Sequence, residues 1–151
     1  MTARSPSFDA LLELLGATIE DARFSFLPRA PSDIFFDGSY RGIWWSADEP
    51  GLDLAFALKG GLDTISLTLS SVNGLSTWQG AIPFGAEEGL SGAIRELGPA
   101  HVTGAGDFEY VCDASAWKIS EGAWLVLYSL DGEPIGLEYG RPFGFKPEAV
   151  T

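Results

Sequence analysis

The sequence predicts an α+β fold in which a short helix followed by an antiparallel β meander occurs twice in tandem, with the helices packed on one face of a curved sheet. Three observations predict it. Two runs, Phe8 to Leu15 and Leu90 to Leu97, carry apolar residues at helical spacing and end in Gly16 and in Gly98-Pro99. Segments of apolar–polar alternation, separated by Gly-containing turns, follow. The halves 1–76 and 77–151 can also be laid over each other as two repeats of one compact unit.

The elements follow in order. Ser7 is placed as the N-cap of the first helix, in which Phe8, Leu11, Leu12 and Leu15 share a face; Ala10 falls at the third helical position, so no capping box forms. Pro28 and Pro31 rule out a continuing helix, and residues 17–42 read as a loop-rich connection with a brief extended piece from Asp33 to Gly38. Three strands come next. Ile43 to Ser46 is the first. In the second, Leu52, Leu54, Phe56 and Leu58 alternate with Asp53, Ala55 and Ala57. In the third, Ile65, Leu67 and Leu69 alternate with Thr64, Ser66 and Thr68. Residues 70–88 form a linker. Ser91 is the N-cap expected for a second helix, with Leu90, Ile94 and Leu97 spaced for one helical face. Residues 100–113 read as a polar, acidic loop, with Phe108 and Tyr110 on a short strand. Strands at Ala116 to Ser120, Ala123 to Leu130 and around Ile135 to Tyr139 follow, the last two joined by a tight Asp131-Gly132 turn, and residues 142–151 read as a trailing tail. In the overlay of the halves, Leu15-Gly16 matches Leu97-Gly98, Trp44 or Trp45 matches Trp117, Gly51 to Leu54 matches Gly122 to Leu125, Gly60 matches Gly132, Ile65 matches Ile135 and Leu67 matches Leu137.

Composition bounds what such a fold does. The 151 residues fit one domain or two small fused repeats, and 46% hydrophobic residues suffice for a packed core. The net charge is −12, so the chain is repelled by nucleic acid and by anionic membranes and drawn to basic partners, such as a nuclease or a cationic protein segment; the bland reading is that the charge serves solubility alone. A single cysteine, Cys112, excludes an internal disulfide and fits a reducing cytoplasm. Asp9 and Glu13 break the N-terminal apolar run, so no signal peptide is expected, and no run reaches membrane-spanning length.

The chain offers no enzyme chemistry, cofactor motif or metal set. His101 and Cys112 are too few for a metal site and lack the flanking residues of a nucleophile pair. Gly104-Ala105-Gly106 lacks the strand and helix of a phosphate-binding loop, and the pairs Asp48-Glu49 and Glu87-Glu88 sit in turns, where carboxylates are solvated. The stronger constellation is aromatic plus acidic. In the first half, Tyr40, Trp44 and Trp45 lie between Asp33 and Asp37 on one side and Asp48 and Glu49 on the other, with Trp45 taken as the partner-facing tryptophan. In the second, Tyr110 lies with Phe108 among Asp107, Glu109 and Asp113. Adjacent Trp44 and Trp45 on a strand point to opposite faces, so one serves the core and the other meets solvent, a helix or a partner. Aromatics ringed by carboxylates suit a hot spot for a basic protein surface; the competing reading is that all these aromatics are core.

The second unit, on Gly89-Leu90-Ser91, Leu97-Gly98-Pro99, Trp117 and the segment from Trp124 to Leu137, resembles the helix-and-meander module of the SmpA/OmlA outer-membrane lipoproteins and, in tandem, of the β-lactamase inhibitor proteins. With Ser39 to Trp45, Gly51 to Phe56 and Ile82 to Gly85, the whole chain is similar to small bacterial immunity proteins encoded beside secreted toxins. The resemblance implies a cytoplasmic immunity protein that neutralises a cognate toxin by stoichiometric occlusion. An acidic cytoplasmic chaperone for a secreted effector is the alternative; it would need a substantial dimerising helix, which the sequence does not show. An enzyme on this scaffold and an envelope structural module stand behind these two.

Overall fold

The computed structural model describes residues 7–27, 33–37, 40–46, 51–57, 60–70 and 77–147. Helix α1 (Phe8–Glu13) begins where the sequence places it: the Ser7 side chain accepts the Ala10 N–H at 3.3 Å. Phe8 and Leu11 are its buried face. Gly16, in the left-handed region at φ 86°, ends the segment and donates its N–H to the Leu62 carbonyl at 2.8 Å, tying the helix end to the sheet.

Among the described residues, eight strands form one antiparallel sheet. They are β1 (Asp33–Asp37), β2 (Tyr40–Ser46), β3 (Leu52–Ala57), β4 (Leu62–Thr68), β5 (Val102–Phe108), β6 (Tyr110–Ser120), β7 (Ala123–Leu130) and β8 (Glu133–Gly140). Their spatial order is β1-β2-β3-β4-β8-β7-β6-β5. Every pairing joins sequence neighbours except β4–β8, in which Leu67 faces Leu137. The turn between β7 and β8 has Asp131 at φ 52° and Gly132 at φ 83°, the two positive values that match a two-residue hairpin to strand twist. The fold class is therefore α+β with an antiparallel sheet.

Both faces of the sheet carry buried apolar side chains. On the first face Trp45, Leu54, Ile65, Leu67, Trp117, Leu125 and Leu127 pack with Phe8, Leu11 and Leu14 beside α1 and with Ala93 of α2 (Gly89–Leu97). On the second face Cys112, Ala114, Trp124, Val126 and Tyr128 form a separate cluster with Phe145. The alternation in β7 explains the division, because successive side chains go to opposite faces and both sets are apolar.

Three expectations are corrected. Residues 102–108 are an edge strand, not a loop. Their Thr-Gly-Ala-Gly run has no apolar alternation because β5 takes its register from β6 rather than from a core face. In α2 the inner face is Gly89, Gly92 and Ala93, while Leu90 and Ile94 are 38% and 40% exposed. The helix lies so close to the preceding turn that a Cβ on Gly92 would stand 2.1 Å from the Gly85 carbonyl oxygen, so large side chains turn outward. Ser91 is not its N-cap; it sits inside the first turn with its hydroxyl donating to the Glu88 carbonyl at 3.3 Å, and Glu88 holds the cap position. Finally, of the stretch 142–151 read as a trailing tail, residues 142–147 are none, and 148–151 lie outside the described residues. Residues 141–147 fold back as a strap across the second face, burying Phe145 and accepting the Asp107 N–H at the Gly144 carbonyl, 2.8 Å away. That bond covers part of the β5 edge.

Candidate partner-binding groove

The strap and the second face enclose a groove of about 390 Å³. Its floor comes from one row of the register. Asp53 on β3 pairs with Ser66 on β4, which pairs with Glu138 on β8. These are the polar positions of three alternating strands, so all three point away from the apolar first face. Asp107 and Glu109, at the end of the β5–β6 hairpin, bring two more carboxylates. Trp44, Phe108 and Phe143 supply aromatic walls, with Trp44 and Phe143 edge to face at 5.7 Å. Among the described residues, no lysine or arginine lines the groove.

Glu138 is 2% exposed and is held from three sides. The Tyr128 hydroxyl and the Gly144 N–H (3.1 Å) donate to Oε1, and the Phe143 N–H (3.4 Å) donates to Oε2. Burial pushes its carboxyl above the ordinary value, against the pull of these donors. The Tyr128 hydroxyl is pushed up as well, by burial first and then by the Glu138 charge. Phe108 stacks on Tyr128 at 5.1 Å and lies over Gly136, where a Cβ would stand 2.4 Å from the Phe108 ring. The groove is thus shaped by a glycine on β8 and locked by a buried carboxylate.

Glu109 makes the whole reversal between β5 and β6, since Phe108 and Tyr110 already pair. It does so at φ 66°, a conformation costly for a residue with a Cβ. Glu109→Gly should therefore relieve about 1 kcal/mol of backbone strain, seen as a higher urea midpoint, while removing a groove carboxylate.

The sequence-selected residues divide. Asp107 and Glu109 come together in the groove. Tyr110, 45% exposed, and Asp113 lie on β6 outside it. Asp33, Asp37 and Tyr40 are strand positions at the β1–β2 end of the sheet, with Asp37 opposite Tyr40. Asp48 and Glu49 lie outside the described residues. Trp45 is corrected: at 9% exposed it belongs to the core, since it pairs across the ladder with Leu54 on the first face, and Trp44 is the outward member of the pair. Sequence reasoning missed Asp53, Ser66, Glu138 and Phe143. The only signal for the first three was polarity at alternate positions of apolar strands; for Phe143 there was none, because the strap was read as a tail.

The other candidates dissolve. Cys112 is buried on the second face, and burial pushes its thiol up. His101 accepts the Lys118 N–H at Nδ1, 2.8 Å, while the stretch from Cys112 to Lys118 spans about 20 Å of strand, so the two do not meet. Gly104, Ala105 and Gly106 are strand residues of β5. Among the described residues, no group of three or more histidine, cysteine or carboxylate side chains is placed to hold a metal ion, and no helix is long and apolar enough to cross a membrane. No protein-family model, curated protein or solved structure matches this chain.

Proposed function

We propose that this chain is an immunity protein of the cytoplasm that binds and neutralises a cognate secreted toxin by one-to-one occlusion, with the groove and its rim as the binding face. The observation that carries the reading is the groove itself: carboxylates from β3, β8 and the β5–β6 hairpin, aromatic walls and no described lining cation, on a chain of net charge −12. Such a surface speeds the approach of a basic partner, while desolvated aromatics hold the complex.

The reading of two tandem repeats, 1–76 and 77–151, belongs with this proposal. In its support, a helix and four strands occur in each half, and the last strands of the two sets, β4 and β8, pair at the centre of the sheet. Leu67 and Leu137, matched in the sequence overlay, face each other there, as residues beside a local two-fold axis would. Trp45 and Trp117 share the first-face cluster, and Gly51 and Gly122 both have positive φ just before β3 and β7.

The test is co-purification with the product of the neighbouring gene, then titration at low and high salt. Tight one-to-one binding that weakens with salt is expected, with Asp107→Asn and Glu109→Gln each weakening it about 10-fold, or about 1.4 kcal/mol. Binding indifferent to both variants, or none to that product, would overturn the reading, and an obligate dimer would point instead to an effector chaperone.

A further inference from the structure

We infer that the groove takes the guanidinium of an arginine side chain presented by a partner protein. The inference rests on the reading of this face as a partner-binding surface and names the chemistry that the face selects.

Three independent features converge. The first is charge: Asp53, Asp107, Glu109 and Glu138 line the groove, and no described lining residue is a cation. Carboxylates at the mouth, with Asp107 exposed, favour a cation and reject an anion. The second is a pair of hydroxyls on the floor. Ser66 and Thr68 line the groove at 2% and 8% exposed. Neither hydroxyl has a hydrogen-bond partner among the described residues, and neither is sealed from solvent, so what remains accessible of each opens into the groove. Hydroxyls this nearly buried are costly to leave unmatched when a ligand covers them, so the floor calls for a ligand with several N–H donors. The third is shape: Trp44 and Phe143 meet edge to face at the groove, and Phe108, stacked on Tyr128, lines it as well. Flat walls of this kind stack a planar cation.

Guanidinium meets all three requirements. It is planar, always charged, and carries five N–H donors in a fixed fork that two carboxylates and a hydroxyl can share. An ammonium group offers three donors at a point and no face to stack. A divalent metal is a poor match, since no described group of carboxylates is placed to hold one. The volume of about 390 Å³ is more than one guanidinium occupies, so the aliphatic stem and its neighbouring main chain enter with it.

The experiment uses the full chain, isotope-labelled, and follows backbone and indole N–H resonances during titration with N-acetyl-arginine amide. The lysine and citrulline amides are run in parallel. Saturable shifts in the millimolar range are expected, as befits so small a ligand, concentrated at the Trp44 indole and at residues 66–68 and 107–109. Binding of the lysine amide should be about 5-fold weaker or more, and citrulline, which keeps the shape but loses the charge, should not bind. Ser66→Ala and Asp107→Asn should each weaken the arginine amide by about 3- to 10-fold with the rest of the spectrum unchanged. Equal binding of citrulline, shifts scattered over the surface, or no shift for arginine would overturn the inference. The two readings fail separately. If Asp107→Asn weakens the protein partner while the arginine amide leaves the groove untouched, the surface survives and guanidinium selection falls. If arginine binds as described and the protein partner ignores the variant, the inhibitor reading falls instead.

Discussion

Trp117→Ala is expected to lower the stability of the folded chain by about 3–5 kcal/mol, among the largest effects of any single substitution in it. Trp117 is 1% exposed, in the first-face cluster with Leu125 and Leu127. Its indole N–H donates to the Gly98 carbonyl at 2.9 Å, so it also ties the end of α2 to β6. Truncation would leave a cavity in a close-packed layer and remove the acceptor's partner at the helix C-cap. For a chain of this length that loss corresponds to a fall in Tm of roughly 10 °C. Trp117→Phe, which keeps most of the apolar area but not the N–H, should cost about 1–2 kcal/mol. Trp44→Ala should cost less than Trp117→Ala, since Trp44 is only half-buried at the groove wall. Urea unfolding at constant slope measures all three; equal midpoints for Trp117→Ala and Trp44→Ala would show that the first-face core does not carry the fold.

Glu138 is the second position of large effect, and here the direction depends on pH. Glu138→Ala would strand three donors that point inward, the Tyr128 hydroxyl and the N–H groups of Phe143 and Gly144 in the strap, at an expected cost of about 3–5 kcal/mol. Glu138→Gln keeps an acceptor oxygen for the Tyr128 hydroxyl and the Gly144 N–H, loses the one for the Phe143 N–H, and removes the charge. Burial, the dominant cause, raises the folded-state pKa of Glu138 above the ordinary 4.5. The unfolded chain therefore releases this proton first as pH rises, and the folded chain holds more protons between the two values. In that window stability falls with rising pH, by up to about 1.4 kcal/mol per unit, and it is fully present below 4.5. Asp21, held down to about 2 by Arg23, acts in the opposite sense, but only between about 2 and 3.8, so the two windows do not overlap. A series of urea unfolding curves from about pH 4 to about pH 8 should show the decline in the natural chain and a flatter profile in Glu138→Gln. Parallel profiles would mean that the Glu138 carboxyl is not the group responsible.

Much of this architecture was legible before any coordinates. The Ser7 cap, the β3 and β4 alternations, the β7 span and the Asp131-Gly132 turn are local matters: a hydroxyl within reach of an N–H three residues on, a period of two, and a pair of residues tolerant of positive φ. Local chemistry of this kind is written residue by residue, and so it reads directly. The acidic–aromatic character of the hairpin end, with Asp107 and Glu109, was visible for the same reason.

What only the tertiary structure decided is what lies opposite what. Whether Trp44 or Trp45 faces the core depends on the register of β2 against β3, which no alternation within a doubled tryptophan reveals. The β5 edge strand is invisible because Gly106 and its neighbours are shaped by what packs on them, a Tyr128 ring 2.8 Å from where a Cβ would be, and not by an apolar period of their own. Ser66 and Glu138 look like ordinary outward polar positions until the strap from Arg141 to Pro147 closes over them. The sequence alone determined α1, the β3, β4 and β7 strands, the turn before β8 and the charge. The groove, its buried carboxylate and its unmatched hydroxyls arise only where β3, β4, β8, the β5–β6 hairpin and the strap meet, because burial is a property of neighbours distant in the chain.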